Sequence, residues 1–282
     1  MDPEVRKQRT QAAFNAAADN FDDPALSFWD RCGGRTVELA GILPGDRVLD
    51  VCCGAGASAL AAAEAAGDAG SVLGVDLAGR LLELGRDKAK ERGLRTVSFR
   101  RGDMTELDVE DASFDAVVCV FGVFFVENMV AAMRELWRAV RPGGLLAVTT
   151  WGRRVLEPGN EVYWNAVGRQ RPDLRQEAPP WQRIIEPPGL RGLYAEAGVT
   201  APEIVVESFD HHIDTEQFWT IVLGSGYRGP LEAMGPEAAA RVRDEVMGRL
   251  RADAVRVLSS EVMYSRARKE ERARRPGQPV TR

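Results

Sequence analysis

Val48-Leu-Asp-Val-Cys-Cys-Gly-Ala-Gly-Ala57 is the stretch whose reading decides the fold of this chain. An apolar strand runs straight into Gly54-x-Gly56, and an alanine-rich segment with the composition of a helix follows over 57–66. Glycine has no Cβ, so these two residues let the backbone turn tightly and come close to a ligand. A helix starting at that turn presents unpaired N–H groups and a partially positive end. Strand, glycine turn and helix together suit a nucleotide-type ligand, although turns of this kind also arise for steric reasons alone.

Working outward, short apolar runs alternate with amphipathic segments. Strands are expected at 47–51, at 71–76 (ending in Asp76) and at 96–100, with a helix over 80–92 between the last two. Residues 114–120 form a continuous apolar run, the pattern of a strand buried on both faces. Met129, Val130, Met133, Leu136, Trp137 and Val140 recur at three- and four-residue spacing, which predicts a helix. Pro142-Gly-Gly144 then turns the chain into a fifth strand at 145–151. Strict alternation implies βαβ units with right-handed crossovers, hence an α/β fold with a mostly parallel sheet covered on both sides. Residues 3–41 read as two helices broken at Asp22-Asp23-Pro24. Residues 153–186 are rich in Pro, Arg and Trp and read as an insertion. A strand at 203–207, a helix at 238–250 and a last strand at 259–265 complete the pattern. The resulting map has an N-terminal helical cap (1–45), a cofactor-binding core (46–152) and a lid or substrate insertion (153–200). Completion of the sheet (201–265) and a flexible charged tail (266–282) follow.

Composition limits the function classes. Hydrophobic residues make up 45% of the 282 and charged residues 28%, an ordinary globular balance. A net charge of −5 repels phosphate backbones, so nucleic acid is a poor partner. The N-terminus is mixed in charge and lacks the apolar core of a signal peptide. No stretch approaches the roughly 20 apolar residues of a membrane span, so a cytoplasmic location is expected. Cys32, Cys52, Cys53 and Cys119 show no CxxC or Cys/His spacing; buried, reduced thiols and no metal site are expected.

Two further elements sharpen the glycine loop. Asp76 closes the second strand about twenty residues beyond the glycines, where a carboxylate can accept both ribose hydroxyl protons; a helix-capping role before Ala78 is the simpler account. Gly102-Asp103-Met104 follows the third strand at its carboxyl end, the edge at which open α/β sheets bind ligands. There an Asp can accept from an exocyclic amine while a Met packs on a flat ring. With Phe114-Asp115 opening the fourth strand and Arg141-Pro-Gly-Gly144 before the fifth, residues 45–152 resemble the class I S-adenosylmethionine-dependent methyltransferases. The resemblance implies a Rossmann-like seven-stranded sheet of order 3-2-1-4-5-7-6 with the seventh strand antiparallel. It implies S-adenosyl-L-methionine as cofactor, its methionyl part over Gly54 and Gly56 beside Cys53, and its amino group on Asp50. Asp76 would hold the ribose, Leu77 and Met104 the adenine faces, and Asp103 the adenine amine. Cys119 to Phe121 would line the sulfonium side.

Within that family the chain is similar to the small-molecule branch that includes ubiquinone/menaquinone-biosynthesis and natural-product methyltransferases. The N-terminal helices and Phe121-Gly-Val-Phe-Phe-Val126 carry this likeness. Quinone enzymes have an Arg-Asn pair where this chain has Phe124-Phe125, so the position offers an acceptor no polar group. An apolar or aromatic small-molecule acceptor is expected, methylated by SN2 transfer. Phe21 or Phe121 would form an aromatic wall by the cation, and Phe28, Phe124 and Trp181 are candidates for the acceptor site. If a base is used, the candidates are His211 and His212, placed in a loop after the sixth strand. Tyr227 and Arg228, flanked by glycines, are candidates for acceptor contact. Trp151, Tyr163, Trp164, Trp181 and Tyr194 fall within about 45 residues, a density that fits an aromatic lid. Association as a homodimer is left open. The rival readings are a protein that keeps the cofactor pocket but has a regulatory or non-methylating role, and an NAD(P)-dependent oxidoreductase. The second has Ala59 at the third fingerprint position, no Ser/Tyr/Lys set, and no use for Gly102-Asp103-Met104.

Overall fold

The computed structural model describes residues 3–175 and 180–271. Its centre is a seven-stranded sheet of order β3-β2-β1-β4-β5-β7-β6. The strands are β1 (Arg47–Val51), β2 (Ser71–Asp76), β3 (Val97–Arg101), β4 (Phe114–Val120), β5 (Val140–Trp151), β6 (Glu203–His212) and β7 (Val257–Arg268). The first five pair in parallel, and β7 runs antiparallel to both β5 and β6. This is the order and the single reversal that the resemblance implied.

Strand alternation divides the core into two layers. Val48, Val72, Ala116 and Val118 face one layer, beneath α2 (Phe28–Ala40), α3 (Ala57–Ala66) and α4 (Gly79–Glu91). Leu49, Val51, Val117 and Val148 face the other. There α5 (Met129–Ala139), α6 (Gly159–Gln170), α7 (Pro187–Glu196), α8 (Thr215–Leu223) and α10 (Pro236–Ala252) contribute the core, with α9 (Arg228–Met234) beside them. The α1 helix (Pro3–Ala17) lies across the carboxyl edge of the sheet and contacts α4 and α9. None of the described helices is long and apolar enough to cross a membrane.

Several boundaries differ from the expectations. Pro142-Gly-Gly144 lies inside β5 and does not form a turn before it: Gly143 has φ +79° and the pairing with β4 shifts register between Phe114 and Ala116, as at a bulge. The strand expected at 203–207 continues to His212, because every residue of β6 finds a partner on β7. His211 and His212 are therefore the last residues of a strand and not part of a loop. β7 passes the expected end at 265, so Arg266 to Arg268 are sheet and not tail. The chain beyond is tied back by Gly143 N–H to the Lys269 carbonyl and Lys269 N–H to the Gly144 carbonyl, each 2.8 Å. The rest of the expected tail, 272–282, lies outside the described residues. Pro24 starts a separate 3-10 turn capped by Asp23, ahead of α2.

The small residues of α2 and α3 explain how these helices approach. A Cβ on Gly33 would lie 2.8 Å from the backbone of both Ala57 and Ser58, at the start of α3, whereas Gly34 has open space around it. Gly33→Ala is expected to destabilise by about 2 kcal/mol through overpacking. Gly34→Ala, in the same helix, is expected to stabilise by about 0.5–1 kcal/mol. Thermal melts of the two variants check the contrast, and equal melting temperatures would contradict it.

Candidate active site

The glycine loop leaves β1 through three left-handed residues, Cys52 (φ +60°), Gly54 (φ +52°) and Gly56 (φ +88°). Asp76, at the end of β2, holds this turn. Its Oδ2 accepts from Gly54 N–H at 2.9 Å and its Oδ1 from Ala78 N–H at 2.8 Å. Burial pushes the Asp76 carboxyl up, and the N–H groups of Ala78, Gly54 and Leu77 offset this only in part. Gly54 borders a large cavity, and a Cβ there would lie 3.5 Å from the Phe21 ring. Gly56 plays another part: a Cβ would meet the Phe99 ring at 3.0 Å, so its bareness serves packing under α3 and not the cavity.

Asp50 is fully buried and does not border the cavity. It points at the first turn of α3, whose N-cap Gly56 has no side chain to offer. Ser58 Oγ donates to Asp50 Oδ2 at 2.7 Å, while Oδ1 has no partner. Asp50 is corrected from the cavity-facing position expected of it: it faces α3 instead. Cys53 is corrected in the same way. It packs in the α3 layer with its Sγ against Gly74, because adjacent residues leaving a strand point to opposite sides. Its neighbour Cys52 borders the cavity, with Sγ 3.6 Å from Met104 Sδ.

The cavity has a volume of about 1920 Å³, well above the ~300–1,000 Å³ of a single small-ligand site. One end is bounded by Asp76, Leu77, Asp103 and Met104. Asp103 Oδ1 accepts from both the N–H (2.8 Å) and the hydroxyl (2.7 Å) of Thr105, and its Oδ2 pairs with Lys7 Nζ at 3.1 Å. Partial burial pushes the Asp103 carboxyl up, but Thr105 and the Lys7 ammonium outweigh it and hold it below the usual range. Gln11 Nε2 donates to the Leu77 carbonyl at 2.9 Å, so α1 roofs this end with Lys7 and Gln11. Neither residue was anticipated, although Lys7, Gln11 and Phe14 share one helical face by their spacing.

The other end is aromatic. Phe121, itself left-handed at φ +53°, stacks on Trp151 at 4.0 Å and 15°. Trp29 lies 5.7 Å from Phe121 and 5.8 Å from Phe21, parallel to the latter within 8°. Phe28, Phe124, Trp181 and Tyr227 also border the cavity. Cys119 does not; it is buried beneath Gly122. Arg228 turns away to Glu232, an i,i+4 pair along α9. Neither histidine reaches the cavity. His211 Nε2 bonds the Ala25 carbonyl at 2.8 Å and its ring lies edge-on to Phe28, while burial holds its pKa below the ordinary imidazole value. His212 is exposed on the sheet edge. Trp29, Asn160 and Glu157 border the cavity without having been singled out.

A family model for a methyltransferase domain matches residues 48–144. Demethylmenaquinone methyltransferase of Bacillus velezensis is 33% identical over 145 residues, covering 50% of this chain and 62% of the relative. The enzyme of the same name from Listeria welshimeri is 33% identical over 173 residues, covering 59% of this chain and 72% of the relative. The match thus spans less than two thirds of the first relative's length. Among solved structures, the YcgJ protein of Bacillus subtilis superposes with a TM-score of 0.58 at 19% identity, over 86% of this chain and 99% of its own. The chain belongs to the class I S-adenosylmethionine-dependent methyltransferases, in the branch that contains the menaquinone enzymes.

Asp50 gives this site a pH signature. Burial, with a smaller contribution from the nearby Asp76 charge, pushes its carboxyl up to about 7 against the pull of Ser58. A carboxyl whose folded pKa exceeds its unfolded value of about 3.9 stabilises the fold in its protonated form. That contribution, on the order of 4 kcal/mol, is complete below about pH 4 and is lost as pH rises through about 7. Asp50→Asn is expected to flatten the fall in melting temperature between about pH 4 and 7. Calorimetric melts of both forms check this, and parallel profiles would contradict it.

Proposed function

We propose that this chain transfers a methyl group from S-adenosyl-L-methionine to a small apolar or aromatic molecule. The observation that carries the reading is the convergence of Gly54, Asp76, Leu77, Asp103 and Met104 on one end of a cavity whose other end is aromatic. These residues fit the cofactor. Gly54 leaves the floor bare, and a Cβ would project toward the Phe21 ring. Asp76 Oδ2 and Oδ1 accept from Gly54 and Ala78 N–H, and the carboxylate, which borders the cavity, can also accept from a ribose hydroxyl. Leu77 and Met104 offer apolar faces to a flat ring. Asp103 Oδ2, paired with Lys7, is the oxygen that an exocyclic amine would share or take over. When bound, the cofactor supplies a methyl group already activated on sulfonium.

The chain's task is then geometric. An in-line displacement gains most from holding acceptor and methyl roughly 3–3.5 Å apart in a fixed orientation. Phe121, Trp151, Trp29 and Phe21 form a rigid aromatic wall that excludes water and attracts a cation through ring faces. Phe124-Phe125 supplies no polar group, which favours an acceptor with an apolar body over one anchored as a quinone would be. The histidines lie outside the cavity, so their role as base is not part of this proposal.

The test is calorimetric titration of wild type and Asp76→Ala with S-adenosylmethionine, S-adenosylhomocysteine and NAD(H). Adenosyl binding that weakens at least about tenfold in the variant is expected, since a lost charge-assisted pair of hydrogen bonds costs about 1.5–3 kcal/mol. A preference for NAD(H), or no adenosyl binding by wild type, would overturn the reading.

A further inference from the structure

One hydrogen-bonded chain interrupts the aromatic wall of the acceptor end. It begins at Glu157, whose carboxylate can only accept. Asn160 Nδ2 donates to Glu157 Oε1 at 2.8 Å, and Glu161 N–H donates to Oε2 at 3.1 Å. With its amino group committed to Glu157, Asn160 shows its carbonyl oxygen to Tyr227, and that oxygen also can only accept. Tyr227 Oη therefore gives its proton to Asn160 Oδ1 at 2.8 Å and retains only lone pairs. The direction is imposed from the carboxylate outward, link by link. Tyr163 holds the end of the chain in place: it is fully buried, its hydroxyl donates to the Tyr227 carbonyl at 2.6 Å, and the two rings are 4.9 Å apart. Glu157, Asn160 and Tyr227 all border the cavity.

We propose that the acceptor is a ring-containing molecule that donates a hydroxyl or N–H proton to Tyr227 Oη, with Asn160 and Glu157 as positioning residues that fix the direction of this bond. The inference rests on the methyltransferase reading of the same cavity and names its substrate class. An ether, ketone or ester oxygen would meet lone pairs at Tyr227 and gain nothing, whereas an O–H or N–H gains a hydrogen bond. Burial pushes the Tyr227 phenol well above its ordinary value, so it recognises the ligand and does not deprotonate it.

The experiment uses the full chain saturated with S-adenosylhomocysteine and titrates 2-naphthol and 2-methoxynaphthalene calorimetrically. The expected result is wild-type binding of 2-naphthol roughly tenfold tighter than of its methyl ether. Tyr227→Phe should abolish that preference by weakening 2-naphthol alone, with S-adenosylhomocysteine affinity kept within about twofold. Glu157→Gln should reduce or invert it, because a glutamine can donate to Asn160, allow the amide to turn round, and let Tyr227 donate outward. A purely structural role would weaken both naphthalenes together. Equal wild-type affinities, binding of neither compound, or a preference that survives in both variants would overturn the proposal. If Tyr227→Phe does not fold, Glu157→Gln decides alone. Failure of wild type to bind S-adenosylhomocysteine would instead overturn the methyltransferase reading, and the naphthol preference is then read without it.

Discussion

The site depends on the Asp76 carboxylate and the backbone N–H groups that it binds on either side of it. One bond reaches Gly54 in the turn after β1 and the other reaches Ala78 at the start of α4. Together they clamp the ends of two neighbouring parallel strands into one rigid rim. Hydrogen bonds to a charged acceptor contribute about 1.5–3 kcal/mol each, and here they hold a turn with two left-handed glycines and a left-handed Cys52. The same carboxylate faces the cavity. One group thus shapes the loop and presents its charge to the cavity.

Much of the core was legible because local patterns and tertiary structure agree there. The apolar run at 114–120 and the three-four spacing from Met129 to Trp137 became a doubly buried strand and an amphipathic helix, while Val140, expected in that helix, opens β5. Legibility failed where pairing, not pattern, determines structure. Residues 207–212 include Ser208, Asp210 and two histidines, with no apolar alternation to mark a strand; β7 nevertheless pairs with all of them. That pairing places the histidines on the edge strand, away from the cavity. Cys52 and Cys53 failed for a local reason: a motif match cannot tell which of two adjacent side chains faces the ligand, although strand alternation could have warned that only one would.

The acceptor end was less legible than the cofactor end for a physical reason. One end of the cavity is lined by turns at strand ends, whose spacing the sheet fixes. The polar groups at its other end come from elements distant in sequence, such as Asn160 and Tyr227, 67 positions apart. The aromatic residues were visible as a composition, but the direction of the polar chain among them emerges only when α6 and the start of α9 lie side by side. The α1 helix belongs to this second kind. Lys7 and Gln11 reach Asp103 and the Leu77 carbonyl across the cavity mouth, so the roof of this end comes from a helix about 40 residues ahead of the motif and outside it.

The central claim is that the rim formed by Gly54, Asp76 and Asp103, roofed by α1, is where the adenosyl ligand sits. Hydrogen–deuterium exchange of the full chain with and without S-adenosylhomocysteine tests it directly. The account predicts added protection at 52–56, 76–78, 102–105 and along α1. Protection confined to other segments, or none at all under saturating ligand, would contradict it.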